Sequence, residues 1–340
     1  MKLTNRQHLR IMDEYDRIRR ENRYTEEERR DEVYQAVPAI RQIDEKIASR
    51  TVERTRKLLF LEGAAAAAQE LACREEIRDL AMERTDLLVR SGYPADYLDP
   101  IYVCPVCRDT GYVENDKCRC FKKRIRDLLI AQSNLADIRK DANFRNFRTD
   151  LYASVPGPGD KESPRDNIRR VLDTADRFIA NVRQGKASNL LIRGKTGVGK
   201  SFLSSCIGSE LLDAGKSVLY LTAYQLFDRL ANYTFRRSED NEDDLSRILT
   251  CDLLIIDDLG TELTNNFVNS RLFLCINERI LQGRSTVINT NLSLEQISRT
   301  YSERVSSRII ESYTILYIFG EDIRIKKALS ALDGKNDLMI

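Results

Sequence analysis

Histidine occurs once in the 340 residues, at His8, and tryptophan not at all. That scarcity excludes a histidine-based catalytic site. No apolar run reaches membrane-spanning length, and residues 1–20 are too charged for a signal peptide. The expected location is the cytoplasm. An excess of one charge sign is lacking too: 55 Lys+Arg against 53 Asp+Glu leave a net charge of +2. Global charge therefore gives no argument for nucleic acid, and any DNA contact must be local. A content of 42% hydrophobic and 32% charged residues suits a globular protein rich in exposed helix, long enough for two or three modules.

What is present is a phosphate-binding pattern. Gly194, Lys195, Thr196, Gly197, Val198, Gly199, Lys200 and Ser201 fit G-x-x-x-x-G-K-[ST]. Residues 188–193 read as a short buried strand, and Phe202 to Ala214 as a helix. The glycines let backbone N–H groups close around phosphate, and the helix dipole favours the negative charge. Lys200 is placed to reach the β- and γ-phosphates and Ser201 to hold Mg²⁺, with Phe202 next in the cofactor-binding stretch. A glycine-rich turn without a ligand would not explain Lys200 followed by a hydroxyl.

Leu253 to Asp258 is an apolar run that ends in two carboxylates. The run fits a buried parallel strand, whose carboxyl end is where open α/β sheets bind ligand. Asp257 is the candidate Mg²⁺ partner, through water. Asp258 is the candidate for orienting or deprotonating the attacking water. The bland alternative, an acidic strand cap facing solvent, loses ground beside a P-loop.

Of eight cysteines, Cys104, Cys107, Cys118 and Cys120 cluster, while Cys73, Cys206, Cys251 and Cys275 are scattered. The cluster reads C-x₂-C-x₁₀-C-x-C, with a turn signal at Asp109-Thr110-Gly111. Two close pairs on short turns can give four thiolates to one structural Zn²⁺. A redox C-x-x-C or two disulfides are the alternatives, which a reducing compartment disfavours.

Along the chain, residues 1–92 read as helices (Asn5–Tyr34, Val37–Leu61 and Ala64–Ser91), a partner-binding region or else a solvated arm. Residues 93–135 hold the zinc module and a basic amphipathic helix at Phe121–Leu135. Residues 136–165 read as a linker, aromatic and irregular over Asn143–Val155. Residues 166–330 alternate helix and strand: helix 166–184, strand 188–193, helix 201–214, strand 217–222, helix 223–235, strand 252–257, helix 266–282 and strand 285–289. That rhythm predicts a parallel, doubly wound sheet. Residues 331–340 form a tail. A basic-aromatic patch at Tyr233-Thr234-Phe235-Arg236-Arg237 is a candidate contact to single-stranded DNA, opposed by the acidic run that follows.

The P-loop, the run Asp257 to Glu262, Asn289 to Leu292, Glu303 to Ile309 and Phe319 to Arg324 together resemble an AAA+ ATPase of the bacterial replicative helicase loader family, the DnaC/DnaI type. The likeness is to the Gram-positive form with an amino-terminal zinc module. It implies an α/β P-loop ATPase domain preceded by a helical region and a small zinc-binding module. It implies a sensor role for Asn291, with Asn289 as the alternate. It implies an arginine finger at Arg308, with Arg304 as the alternate, acting on the γ-phosphate of the next subunit. Surface pairing with Glu303 or Glu311 is the ordinary reading of those arginines. Arg324 resembles the second sensor. Asp258 departs from the general AAA+ pattern, in which most members carry Glu, and a shorter carboxylate implies slow hydrolysis, with Glu262 as a helper. The few residues after Arg324 leave no room for a helix-turn-helix, which favours a loader over an origin initiator.

The expected function is ATP-dependent loading of a hexameric replicative DNA helicase onto single-stranded DNA, with ATP, Mg²⁺ and Zn²⁺ as cofactors and self-assembly through the ATPase domain. The alternatives are a transposition helper ATPase of the IstB type and a nucleotide-switched zinc adaptor without turnover.

Overall fold

The computed structural model of the chain describes residue 3 and residues 5–58, 63–235 and 239–326. They fall into two compact units, Lys2–Lys122 and Lys123–Ile340. Among the described residues, no helix is long and apolar enough to cross a membrane.

The first unit opens with α1 (Asn5–Ala36), α2 (Pro38–Leu58) and α3 (Gly63–Arg90). Pro38 stands at the first position of α2, where its missing N–H costs nothing. Helix α1 buries Ile11, Tyr15 and Ile18, spaced four and three apart on one face. Val33, Ile40 and Leu88 bring the three helices together in a small core. A hairpin of β1 (Tyr112–Val113) and β2 (Asp116–Lys117) lies between the two cysteine pairs.

The second unit is the α/β domain. Its boundary falls within α4 (Arg119–Gln132), not at 135, because the chain just after this helix pairs with the sheet. The Tyr220 amide donates to Ser133 O at 2.9 Å, and Asn134 Nδ2 donates to Tyr220 O at 3.1 Å. Three short 3₁₀ turns follow, at Ile138–Lys140, Phe144–Asn146 and Thr149–Leu151. Then come α5 (Pro164–Arg183), β3 (Asn189–Arg193), α6 (Lys200–Asp213), β4 (Val218–Thr222), α7 (Ala223–Phe235), α8 (Glu239–Thr250) and β5 (Leu253–Leu259). The domain continues with α9 (Asn266–Leu281), β6 (Ser285–Thr290), α10 (Leu294–Tyr301), α11 (Glu303–Ser312) and β7 (Thr314–Tyr317).

The five strands are all parallel, in the order β4-β5-β6-β3-β7. Apolar runs in β3 and β5 suit strands covered on both faces, and their Leu and Ile side chains are fully buried. Helix α5 starts at Ser163, whose side chain accepts the Asp166 amide at 3.1 Å, and buries Ile168, Val171, Ala175 and Phe178 along one stripe. The order places β6 between the P-loop strand β3 and the acidic strand β5. All three carboxyl ends therefore open on one edge, which is where the site forms.

Candidate nucleotide and metal sites

In the first unit, the four clustered cysteines are free thiols whose sulfurs lie within 4.8 Å of one another. Cys104 and Cys118 sulfurs are 3.9 Å apart, and those of Cys107 and Cys120 are 3.4 Å apart. A tetrahedral ion with Zn–S bonds of about 2.3 Å spaces its sulfurs about 3.8 Å apart, so the cluster fits zinc. The turn is built around Asp109, which is buried and accepts the amides of Val103 at 2.9 Å and Cys104 at 2.8 Å. Asn22 on α1 donates to the same carboxylate at 3.0 Å. Tyr15, also on α1, is buried, stacks on Phe121, and its hydroxyl lies 2.9 Å from Cys120 Sγ. The Cys107 amide pulls the Cys104 thiol down to about 7, whereas burial pushes Cys120 up. Four thiolates would close the coordination, so a zinc here is structural.

In the second unit, β3 delivers the P-loop to the start of α6. Gly197 and Gly199 are in the left-handed region, at φ 80° and 99°. A Cβ on Gly197 would sit about 2.0 Å from the Asp322 carboxylate, and one on Gly199 2.6 Å from the Tyr152 hydroxyl. Only glycine fits either place. Lys200 is buried, and its ammonium donates to Gly194 O at 2.9 Å, Lys195 O at 2.8 Å and Asn291 Oδ1 at 2.6 Å. Burial lowers its pKa, opposed by the charges of Asp258 and Asp257.

Asp257, at the end of β5, is buried among donors. Its Oδ1 accepts from Ser201 Oγ at 3.0 Å and from Asn289 Nδ2 at 2.7 Å, and the Tyr220 hydroxyl donates to its Oδ2. Asn289 is fully buried and also bonds Ser204, so it holds Asp257 while Asn291 reaches the site. The β5–β6 pairing slips between Ile256 and Leu259, and Asp258 adopts φ 55° there. The bulge turns the second carboxylate toward the cavity. Burial and the neighbouring Asp257 charge raise the pKa of Asp258, against Lys200 and Arg324.

A cavity of about 380 Å³ opens over this constellation. Its lining combines polar groups, among them Thr196, Ser201, Asp258, Asn291 and Arg324, with apolar ones, among them Ile138, Phe147, Tyr152, Phe202 and Ile323. The volume and this mixture of polar and apolar groups suit a nucleotide. Ser201 and Asp257 offer hard oxygen donors 3.0 Å apart, the chemistry Mg²⁺ takes. Val198 is buried, and its carbonyl accepts the Tyr152 hydroxyl at 2.9 Å. The Ile323 amide donates to Gly197 O at 3.0 Å, fastening the Arg324 segment to the P-loop.

Residues 172–331 match the family model described as IstB-like ATP binding protein. The replicative helicase loader DnaC of Escherichia coli (strain K12) is 26% identical over 192 residues, covering 56% of this chain and 72% of that protein. DnaC of Buchnera aphidicola subsp. Schizaphis graminum (strain Sg) is 25% identical over 182 residues, 53% of this chain and 68% of that protein. The crystal structure of the DnaC helicase loader aligns with a TM-score of 0.43 at 24% identity, over 53% of this chain and 98% of that one. The likeness to the helicase-loader type of AAA+ ATPase, read from the motifs, holds over this half.

Within the second unit, Arg304 and Arg308 do not line the cavity of their own chain. Both lie on α11, Arg304 exposed and Arg308 half-buried, with Arg308 paired to Glu311 at 3.1 Å. Glu262, expected as a possible helper of Asp258, points elsewhere: it accepts from the Tyr301 hydroxyl and the Gly260 amide. Of the basic-aromatic patch, Tyr233 and Thr234 end α7 half-buried, while Arg236 and Arg237 lie outside the described residues, as does the tail. Sequence reasoning missed Tyr152, Phe147, Ile138 and Tyr220 as site residues. The aromatic density of 143–155 was the available signal for the first two. Tyr220 carried none, because its role comes from strand pairing.

Proposed function

We propose that this chain is an ATP-hydrolysing loader of a replicative DNA helicase. The observation that carries it is the set Lys200, Ser201, Asp258 and Asn291 lining one nucleotide-sized cavity, with Asp257 bonded to Ser201, in a domain related to proteins named as helicase loaders. The P-loop amides and Lys200 hold the phosphates, and the apolar walls take the base. Mg²⁺ held by Ser201 and Asp257 would neutralise phosphate charge. Asp258 orients the attacking water, and Asn291 holds the Lys200 ammonium and the γ-phosphate side. Arg308 reaches the nucleotide of an adjacent copy of the chain. Its exposed pairing with Glu311, worth less than about 1 kcal/mol, is readily exchanged for a phosphate. The short carboxylate at 258 keeps turnover slow and dependent on assembly.

Residues 1–135 take the helicase, and zinc bound by Cys104, Cys107, Cys118 and Cys120 holds the knuckle against α1. Single-stranded DNA binds the assembled ATPase units.

The test is loading of the host's replicative helicase onto circular single-stranded DNA. This protein with ATP should load it, and Lys200→Ala should not. Stimulation of a transposase with no effect on the helicase would transfer the ATPase to the transposition-helper reading.

A further inference from the structure

The hydroxyl of Tyr220 is an unusual presence beside a magnesium carboxylate. Tyr220 stands on β4, the strand at the sheet's edge, one strand away from Asp257 on β5. Its side chain is buried at 7% exposure, and the hydroxyl donates to Asp257 Oδ2. Burial and the Asp257 charge both raise the tyrosine's pKa, keeping it a neutral donor. The backbone that carries the ring is also held: its amide donates to Ser133 O and its carbonyl accepts from Asn134.

The two oxygens of Asp257 are therefore served differently. Oδ1 takes Ser201 at 3.0 Å and Asn289 at 2.7 Å, and Oδ2 takes Tyr220. Ser201 is a metal donor in the reading above, so its hydroxyl turns to the ion when the ion arrives. Asn289 and Tyr220 have no such second duty. Together they fix the plane of the carboxylate from two sides, one donor on each oxygen. A ligating carboxylate held this way meets the ion without reorganising.

Building on the ATPase reading, we propose that Tyr220 is a positioning residue that presets Asp257 for Mg²⁺. It acts through Asp257 and not on the nucleotide, so removing its hydroxyl weakens the metal and spares metal-free nucleotide binding.

The experiment uses the full chain and a fluorescent ATP analogue, titrated at rising Mg²⁺ concentrations. In Tyr220→Phe the half-saturating Mg²⁺ concentration should rise about tenfold, the lower end of what outer-shell partners contribute. Affinity for the analogue in EDTA should stay within about twofold of wild type, which a general loss of packing would not permit. In an Asp257→Asn background, the same Tyr220→Phe change should add nothing further. Tyr220→Met, which removes the same hydroxyl and keeps an apolar side chain, should raise the Mg²⁺ requirement in the same direction and serves if Tyr220→Phe folds poorly. An unchanged Mg²⁺ requirement in a folded variant overturns the proposal alone. Failure of the wild type to bind the analogue with Mg²⁺ present overturns the ATPase reading and takes the proposal with it.

Discussion

At the scale of single residues, the site depends on charges whose neighbours decide their state. Lys200 is buried with its ammonium shared among two carbonyls and Asn291. Lys200→Ala should reduce ATP turnover by about 10²-fold or more, measured as phosphate release, because phosphate charge would then develop unopposed. Asp258 must be ionised to orient water, and its pKa is raised by burial and by Asp257. Turnover should therefore fall as pH drops through a value above the ordinary Asp range. Arg324 is one of the cations that hold that pKa down. Arg324→Ala should move the acid limb of the kcat profile to higher pH, whatever it does to the plateau. The residues that bear charge at this site were legible in the chain, since Gly-Lys-Ser and paired Asp residues act through local spacing. Tyr220, Tyr152 and Asn289 were not legible as partners. Each is defined by what a distant segment places opposite it: the aromatic density around Tyr152 and the motif around Asn289 mark their stretches, but not the partners they take.

At the scale of elements, the cysteine cluster and α1 form one assembly. Tyr15 reaches Cys120, Asn22 reaches Asp109, and the Asp109 carboxylate closes the turn that carries Cys104. Removing zinc with a chelator, or Cys120→Ser, should raise hydrogen exchange in α1 around Ile11–Ile18, because the thiolates lose the ion that holds the turn. Equal protection of α1 with and without zinc would show that the helix packs by itself. Phosphate release by the α/β domain is a separate readout that should fall much less than exchange rises. Most elements of this fold were readable from hydrophobic spacing and glycine turns. The exceptions have physical causes. Helix α8 hides in an acidic stretch whose apolar positions come only at its end, at Leu245, Ile248 and Leu249. Strand β7 is four residues long with one buried position, too short for a pattern. Residues 138–152, read as a linker, hold no regular element beyond 3₁₀ turns, and only their packing against the P-loop reveals them as a cavity wall.

At the scale of the whole molecule, ATP hydrolysis as proposed is a shared property of neighbouring copies. Arg308 lies outside its own chain's cavity, so the proposed action on phosphate requires a second chain. Arg308→Ala should bind the ATP analogue as wild type does and lose turnover by about 10²-fold or more. Mixing it with Lys200→Ala should restore part of the turnover, since intact finger and intact P-loop then meet across some interfaces. Two dead variants that remain dead when mixed would place the arginine's role within one chain. The central claim is that the chain as a whole takes hold of a replicative helicase. It is tested most directly by size-exclusion chromatography with light scattering of the full-length protein mixed with its host's replicative helicase and ATP. The account predicts one complex whose mass exceeds that of the helicase hexamer by several copies of this chain. Two separate peaks at the masses of the unmixed proteins would contradict it.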